Sequence, residues 1–217
     1  GLKIDKARYI AENFDEVCAK DRVLLNNPVI FHSLGIAPLV VMDTSGRNAL
    51  MLFAAVLLLL PIVRVVPMLL MEHFGEKARP MLVCGVAALA YIPVYFILYF
   101  IFQKNLLSLG IYLPMLVCEP LVIQRFEHTL DASITQTVRK SIGFTLGYGL
   151  VLFVLGLVRE FLALGQLFGV QVTKLLFFPL ASTPMGGFIL LGLLAAVWQY
   201  GLIRYKKYVN MEAKRTV

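Results

Sequence analysis

Residues 28–71 read PVIFHSLGIAPLVVMDTSGRNALMLFAAVLLLLPIVRVVPMLLM, and the contrast between the two halves of this stretch decides the fold class. Its second half, residues 49–71, is a long apolar run with Arg64 as its single charge, as long as a helix that crosses a bilayer needs to be. Pro61 and Pro67 inside it predict kinks. The first half, Pro28 to Met42, is apolar over only 15 residues and contains Gly35 and Pro38. It reads as a short, broken span whose length is completed by its flanks.

The same alternation continues outward. Residues 80–102 form another long span, and residues 107–124 are interrupted by Gly110, Pro114, Glu119 and Pro120. Residues 141–158 span again, a loop with Pro179 and Pro184 follows, and Gly186 to Ile203 closes the series. The expected fold is an all-α membrane protein. Its six transmembrane segments form a 3+3 inverted repeat with broken first and fourth helices, the pattern that places a functional site between two interrupted segments. Ser33-Leu34-Gly35-Ile36 recurs as Ser108-Leu109-Gly110-Ile111, one copy in each broken segment. Three parts follow: an amphipathic N-terminal region over 1–27, the membrane domain over 28–208, and a tail over 209–217.

Composition agrees. The chain is 59% hydrophobic and only 15% charged, whereas soluble domains carry about 25% charged residues. The net charge of +7 does not mark a nucleic-acid binder, because the basic residues flank apolar runs and form no stripe with interleaved aromatics. With the N-terminus in the cytoplasm and six crossings, 15 of the 20 lysines and arginines fall inside. Arg47, Lys104, Arg159 and Lys174 fall outside, and Arg64 lies within a span. That bias predicts cytoplasmic termini and a multi-pass protein of the bacterial inner membrane. Residues 1–27 are charged throughout and show no signal-peptide pattern. Within them Ile4, Ala7, Ala11, Phe14 and Cys18 share one face of an expected helix over 3–25, suited to a membrane surface, a partner or the bundle itself.

Asn26-Asn27-Pro28 followed by Leu34-Gly35-Ile36-Ala37-Pro38 resembles the opening of the NqrD/RnfE family. Those proteins are membrane subunits of the sodium-pumping NADH:quinone reductase and of Rnf electron-transport complexes. Asn48-Ala49-Leu50, Ile111-Tyr112-Leu113-Pro114, Gly143-Phe144-Thr145-Leu146, Arg159-Glu160, Leu167-Phe168-Gly169 and Gly186-Gly187-Phe188 extend the resemblance collinearly. It implies a pseudo-two-fold pairing with a sister subunit of the RnfA/NqrE type, which has inverted topology. It also implies a [2Fe–2S] cluster clasped between the pair, with one cysteine from each broken helix. At those two positions this sequence has Ala37 and Pro120, and Cys118 stands two residues before the second. Iron in such clusters is held by thiolates, which alanine and proline lack. The resemblance therefore supports the scaffold, while the cluster is expected to be absent or held differently, with Cys118 as the one candidate ligand. The flavin-attachment sequence of other subunits in these complexes is missing, so the flavin-carrying and iron–sulfur subunits would be partners.

The candidate ion or electron pathway comprises Gly35, Ala37, Pro38, Cys118, Glu119, Pro120 and Arg64. A carboxylate at membrane depth such as Glu119 lines a pathway or forms a structural pair, here with Arg64 or Arg125. Arg64 fits an arginine snorkelling to the interface. His32 fits a helix-to-helix hydrogen bond, and Cys84 sits in a small-residue packing stripe. Arg159-Glu160, at the outer end of a span, reads as a helix cap or interface contact. The hydrolase and nucleotide motifs G-x-S-x-G, P-loop and H-E-x-x-H are absent, and catalysis by the chain alone is not expected. The expected function is a membrane subunit coupling electron transfer between ferredoxin or NADH and NAD or quinone to Na+ or H+ movement. A small inverted-repeat transporter, a solute-binding membrane component and a structural paralogue without redox chemistry remain the alternatives.

Overall fold

The computed structural model describes residues 13, 14, 21, 23–70, 79–123, 133–174 and 177–214. The expected helix over 3–25, with Cys18, and also Arg125 lie largely or wholly outside them. The described fold is almost entirely helical. From residue 23 on, two short helices, α1 (Pro28–His32) and α2 (Ile36–Val41), are followed by two long ones, α3 (Gly46–Leu70) and α4 (Arg79–Phe102). A 3-10 turn (Gln103–Leu109) leads to α5 (Tyr112–Met115), a second turn (Leu116–Cys118) and α6 (Pro120–Ile123). The long α7 (Ile134–Leu164), a hairpin of β1 (Gln166–Leu167) and β2 (Val170–Gln171), a 3-10 turn (Pro179–Ser182) and α8 (Pro184–Lys214) complete the chain.

Among the described residues four helices are long and apolar enough to cross a membrane: Gly46–Leu70, Pro80–Leu109, Ile134–Leu164 and Pro184–Glu212. The other two expected spans are each divided into short pieces, α1 and α2 in one case, α5 and α6 in the other. Pro61 and Pro67 both lie within one continuous α3. α7 begins seven residues earlier than its apolar run, because the Ser133 side chain accepts from Gln136 N–H and caps it. α8 likewise continues through the basic residues after Ile203 to Lys214, since helix-forming Lys, Arg and Met need no lipid to stay helical.

α3 and α7 form the centre. Leu52, Ala55, Val56, Leu59, Leu60 and Val63 recur at three- and four-residue steps and bury one face of α3. Thr145, Tyr148, Leu152, Leu155 and Arg159 do the same on α7. Phe53 lies over Gly149 of α7 and meets Phe153 with ring centroids 5.8 Å apart. In these two helices 44% and 56% of the most apolar stretch is buried, against 22% and 17% in the other two spanning helices. α4 buries only the stripe Ala87, Ala90, Val94 and Leu98, while Met81, Leu89, Phe96 and Phe100 are exposed. An exposed apolar face of that size is suited to lipid or a neighbouring protein.

Candidate functional site at the broken segments

The first break arises from two nearby left-handed residues. Asn27 caps α1 through its side-chain oxygen, which accepts from Val29 N–H at 3.0 Å, and Pro28 opens the helix where no backbone donor is needed. Ser33 (φ 54°) ends α1, with its N–H on Val29 O and that of Leu34 on Pro28 O. Gly35 then starts α2 at φ +67°, and a Cβ there would stand 2.6 Å from the Tyr148 ring. Both the backbone and the close approach require glycine. Tyr148 donates its hydroxyl proton to Gly35 O at 3.2 Å, and Asn27 Nδ2 donates to Gly147 O at 2.7 Å. The break is thus sewn to the middle of α7.

Its far end is sewn to α7 as well. The carbonyls in the last turn of a helix lack intrahelical partners. Fully buried Arg159 supplies them for α2, donating from Nη1 to Leu39 O (3.3 Å) and Val40 O (2.7 Å), and to Asp43 O (2.9 Å). The same guanidinium donates to Ala181 O (2.8 Å), Ser182 O (3.4 Å) and Thr183 O (3.2 Å), tying the approach to α8 to the end of α2. Its neighbour Glu160 does the opposite task. Its carboxylate accepts from Gly46 N–H (2.9 Å) at the start of α3, and from Phe168 (3.1 Å) and Gly169 (2.6 Å) N–H in the hairpin turn. Phe168 (φ 52°) and Gly169 (φ 78°) both adopt the left-handed geometry that such two-residue turns use, which points consecutive amides toward one anion. A cation at a helix C-terminus and an anion at a helix N-terminus each match the helix dipole. The adjacent pair expected to act as a cap therefore caps two successive helices where they meet.

Between these two caps lies Asp43. It is fully buried, and neither carboxylate oxygen has a hydrogen-bond partner. The Cα of Gly156 faces it so closely that a Cβ there would collide with Oδ1. Neither Asp43 nor Tyr148 is among the candidates that the sequence singles out. One signal exists for the first: Asp43 is the sole acidic residue between Asp21 and Glu72, at the junction of two apolar segments. A tyrosine in an apolar helix carries no comparable signal.

The second break is built differently. Gly110 again has positive φ (+50°), but open space surrounds its Cα. Leu34 and Leu109 of the repeated tetrapeptide are both buried, while the two glycines differ in ψ, 27° and −134°. Extended Glu119 separates the turn at Leu116–Cys118 from α6. Among the pathway candidates, Gly35, Pro38 and Glu119 are buried, whereas Ala37, Cys118 and Pro120 are exposed. The guanidinium of Arg64 stands 4.8 Å from the centre of the Phe144 ring. His32 Nε2 lies 3.2 Å from Asn26 Oδ1, just ahead of the first segment. Among the described residues no three His, Cys, Asp or Glu side chains converge, and Cys84 and Cys118 are separate, exposed free thiols. With alanine at 37 and proline at 120, the residues present do not fit the thiolate set of a [2Fe–2S] cluster.

Comparison with known proteins matches this chain to a family of membrane subunits. A family model described as "Rnf-Nqr subunit, membrane protein" matches residues 17–195. The E-type subunit of the ion-translocating oxidoreductase complex of Shewanella oneidensis is 33% identical over 194 residues, covering 79% of this chain and 81% of that protein. Its counterpart in Shewanella frigidimarina is 34% identical over 190 residues with the same coverage. The Haemophilus influenzae counterpart is 29% identical over 192 residues, covering 79% and 80%.

Proposed function

This chain belongs to the Rnf-Nqr family of membrane subunits, and from that premise we propose that it is the E-type component of an ion-translocating oxidoreductase complex. The observation that carries this reading is a match to proteins of that name over about four fifths of both chains. The family match also takes in both broken segments. The electron donor would be ferredoxin or NADH, the acceptor NAD or quinone, and the translocated ion Na+ or H+. Six crossings in two inverted halves, with both termini in the cytoplasm of a bacterium, agree with the 15-of-20 basic bias and with breaks in the first and fourth segments.

A sister protein of the RnfA/NqrE type is the proposed neighbour of the exposed face of the second break. Flavin-carrying and iron–sulfur subunits would supply the redox groups. Because Ala37 and Pro120 lack thiolates, this chain's part is structural and ionic: it shapes the path and leaves the electrons to groups held elsewhere. Mild-detergent purification of the tagged chain from its native membranes tests this. Flavoprotein and iron–sulfur partners should copurify, and deleting the chain should abolish ion uptake driven by electron transfer in vesicles. Recovery of the chain alone, or with an ATPase pair, would favour the transporter reading and overturn this one.

A further inference from the structure

The junction between the caps of α2 and α3 buries a carboxyl group that the fold leaves without a hydrogen-bond partner. Arg159 contributes one positive charge, Glu160 and Asp43 one negative charge each, so the ionised cluster carries a net charge of −1. Glu160 is satisfied by three backbone amides. The N–H groups of a guanidinium have a fixed fork geometry, and those of Arg159 are directed to six backbone carbonyls. Nothing is left to donate to the Asp43 carboxylate, whose two oxygens are buried without a partner. Among the described residues, the titratable groups placed around this junction include Arg159 and Glu160 on α7, Tyr148 further along α7, and exposed Arg47 at the start of α3, which lies over Gly169. The turn before α8 presents only carbonyls there. A buried, unpaired carboxylate is unfavourable until a cation neutralises it.

We propose that Asp43 is a binding site for one monovalent cation, a proton or a sodium ion, enclosed between the capped ends of α2 and α3 and against Gly156. The inference deepens the proposed function and rests on it for its place in a translocation path, but the binding itself requires no redox partner. Occupancy discharges the site, and release recharges it beside the guanidinium that ties the end of α2 and the Asp43 backbone to the approach to α8. The site thereby connects ion loading to the geometry of the broken segment, because Arg159 holds both the end of α2 and the backbone carbonyl of Asp43.

Carbodiimide labelling of the full chain in native membranes tests the site, since dicyclohexylcarbodiimide modifies protonated buried carboxyls. Mass spectrometry should find the adduct on Asp43, with formation declining as pH rises. If sodium is the ligand, raising Na+ to ten times its dissociation constant at fixed pH and ionic strength lowers labelling about tenfold, with K+ as the inert control. If the ligand is a proton alone, Na+ has no effect. The isosteric variant Asp43→Asn should lower the number of ions taken up per electron while the complex still assembles. Absence of an Asp43 adduct at every pH, together with unchanged ion uptake in Asp43→Asn, would overturn the proposal. Failure of the chain to copurify with redox subunits would instead overturn the complex reading, and the labelling result would stand.

Discussion

The two interrupted segments share a sequence signature and are held by different forces. The first, Pro28 to Val41, is stitched by polar side chains: Asn27 to Gly147, Tyr148 to Gly35, and Arg159 to the last carbonyls of α2. The second, from Gln103 to Ile123, is anchored by an apolar stripe. Leu106, Leu109, Leu113 and Leu116 recur at three- and four-residue steps and are all essentially buried, although the backbone alternates between 3-10 and α geometry. Its described side-chain tie to another element is Ser108 Oγ to Asn48 Oδ1, exposed and 3.2 Å long. Hydrophobic burial is non-directional and fixes where a segment lies, whereas hydrogen bonds fix its conformation as well. The first break is therefore a rigid element of this chain, and the second keeps an outer face, with Ile111, Met115 and Cys118, free for a neighbour.

The largest expected effect comes from removing the central stitch. Arg159→Leu leaves the carbonyls of α2 and the 181–183 turn unpaired and Asp43 and Glu160 without a countercharge. Breaking a buried charge arrangement of this kind costs about 3–5 kcal/mol. Unfolding of the purified chain in detergent should show that loss, and Arg159→Lys should recover little of it, because one ammonium cannot span six carbonyls. An unchanged midpoint in Arg159→Leu would break the distinction between the two segments.

Next in size is the pair Gly35→Ala and Gly110→Ala. Each carries backbone strain of order 1–3 kcal/mol for a side chain at positive φ. Gly35→Ala must also displace the fully buried Tyr148 ring, whereas Gly110→Ala meets open space. The first variant should be the more destabilised by about 1 kcal/mol or more, the usual range for overpacking. Equal effects in thermal unfolding would mean that the Tyr148 contact yields easily.

The smallest effects sharpen the comparison. Tyr148→Phe removes a buried hydrogen bond and should cost about 1 kcal/mol. Ser108→Ala removes an exposed one and should stay within about 0.5 kcal/mol. The same unfolding measurement on both variants decides whether the polar stitching of the first break exceeds that of the second.

Much of this arrangement was legible without coordinates. The apolar runs at 49–71 and 80–102 foretold α3 and α4, because lipid-compatible length and composition are local properties. Gly35, Gly110 and the prolines near them located both breaks, because backbone restrictions belong to the residue itself. The Arg159-Glu160 dipeptide reads as a cap at the end of its own span; it lies instead inside α7, which runs on to Leu164, and caps the ends of other helices.

Which helix ends it serves was another matter. Arg159 reaches carbonyls 119 and 120 residues earlier in the chain and others 22 to 24 residues later. Such partners are set by the packing of α3 on α7, and no spacing rule reports them. Asp43 illustrates the limit most sharply. In the sequence it is the one acid between two apolar segments, a signal that a solvated loop residue would give equally. Only the folded chain, by directing every Arg159 donor to a carbonyl and closing Gly156 over Oδ1, leaves its carboxylate buried and unpaired. Composition and backbone chemistry act locally and so determined the membrane class and the breaks. Whether a charge is balanced depends on what every surrounding group already binds, and that only the tertiary structure decided.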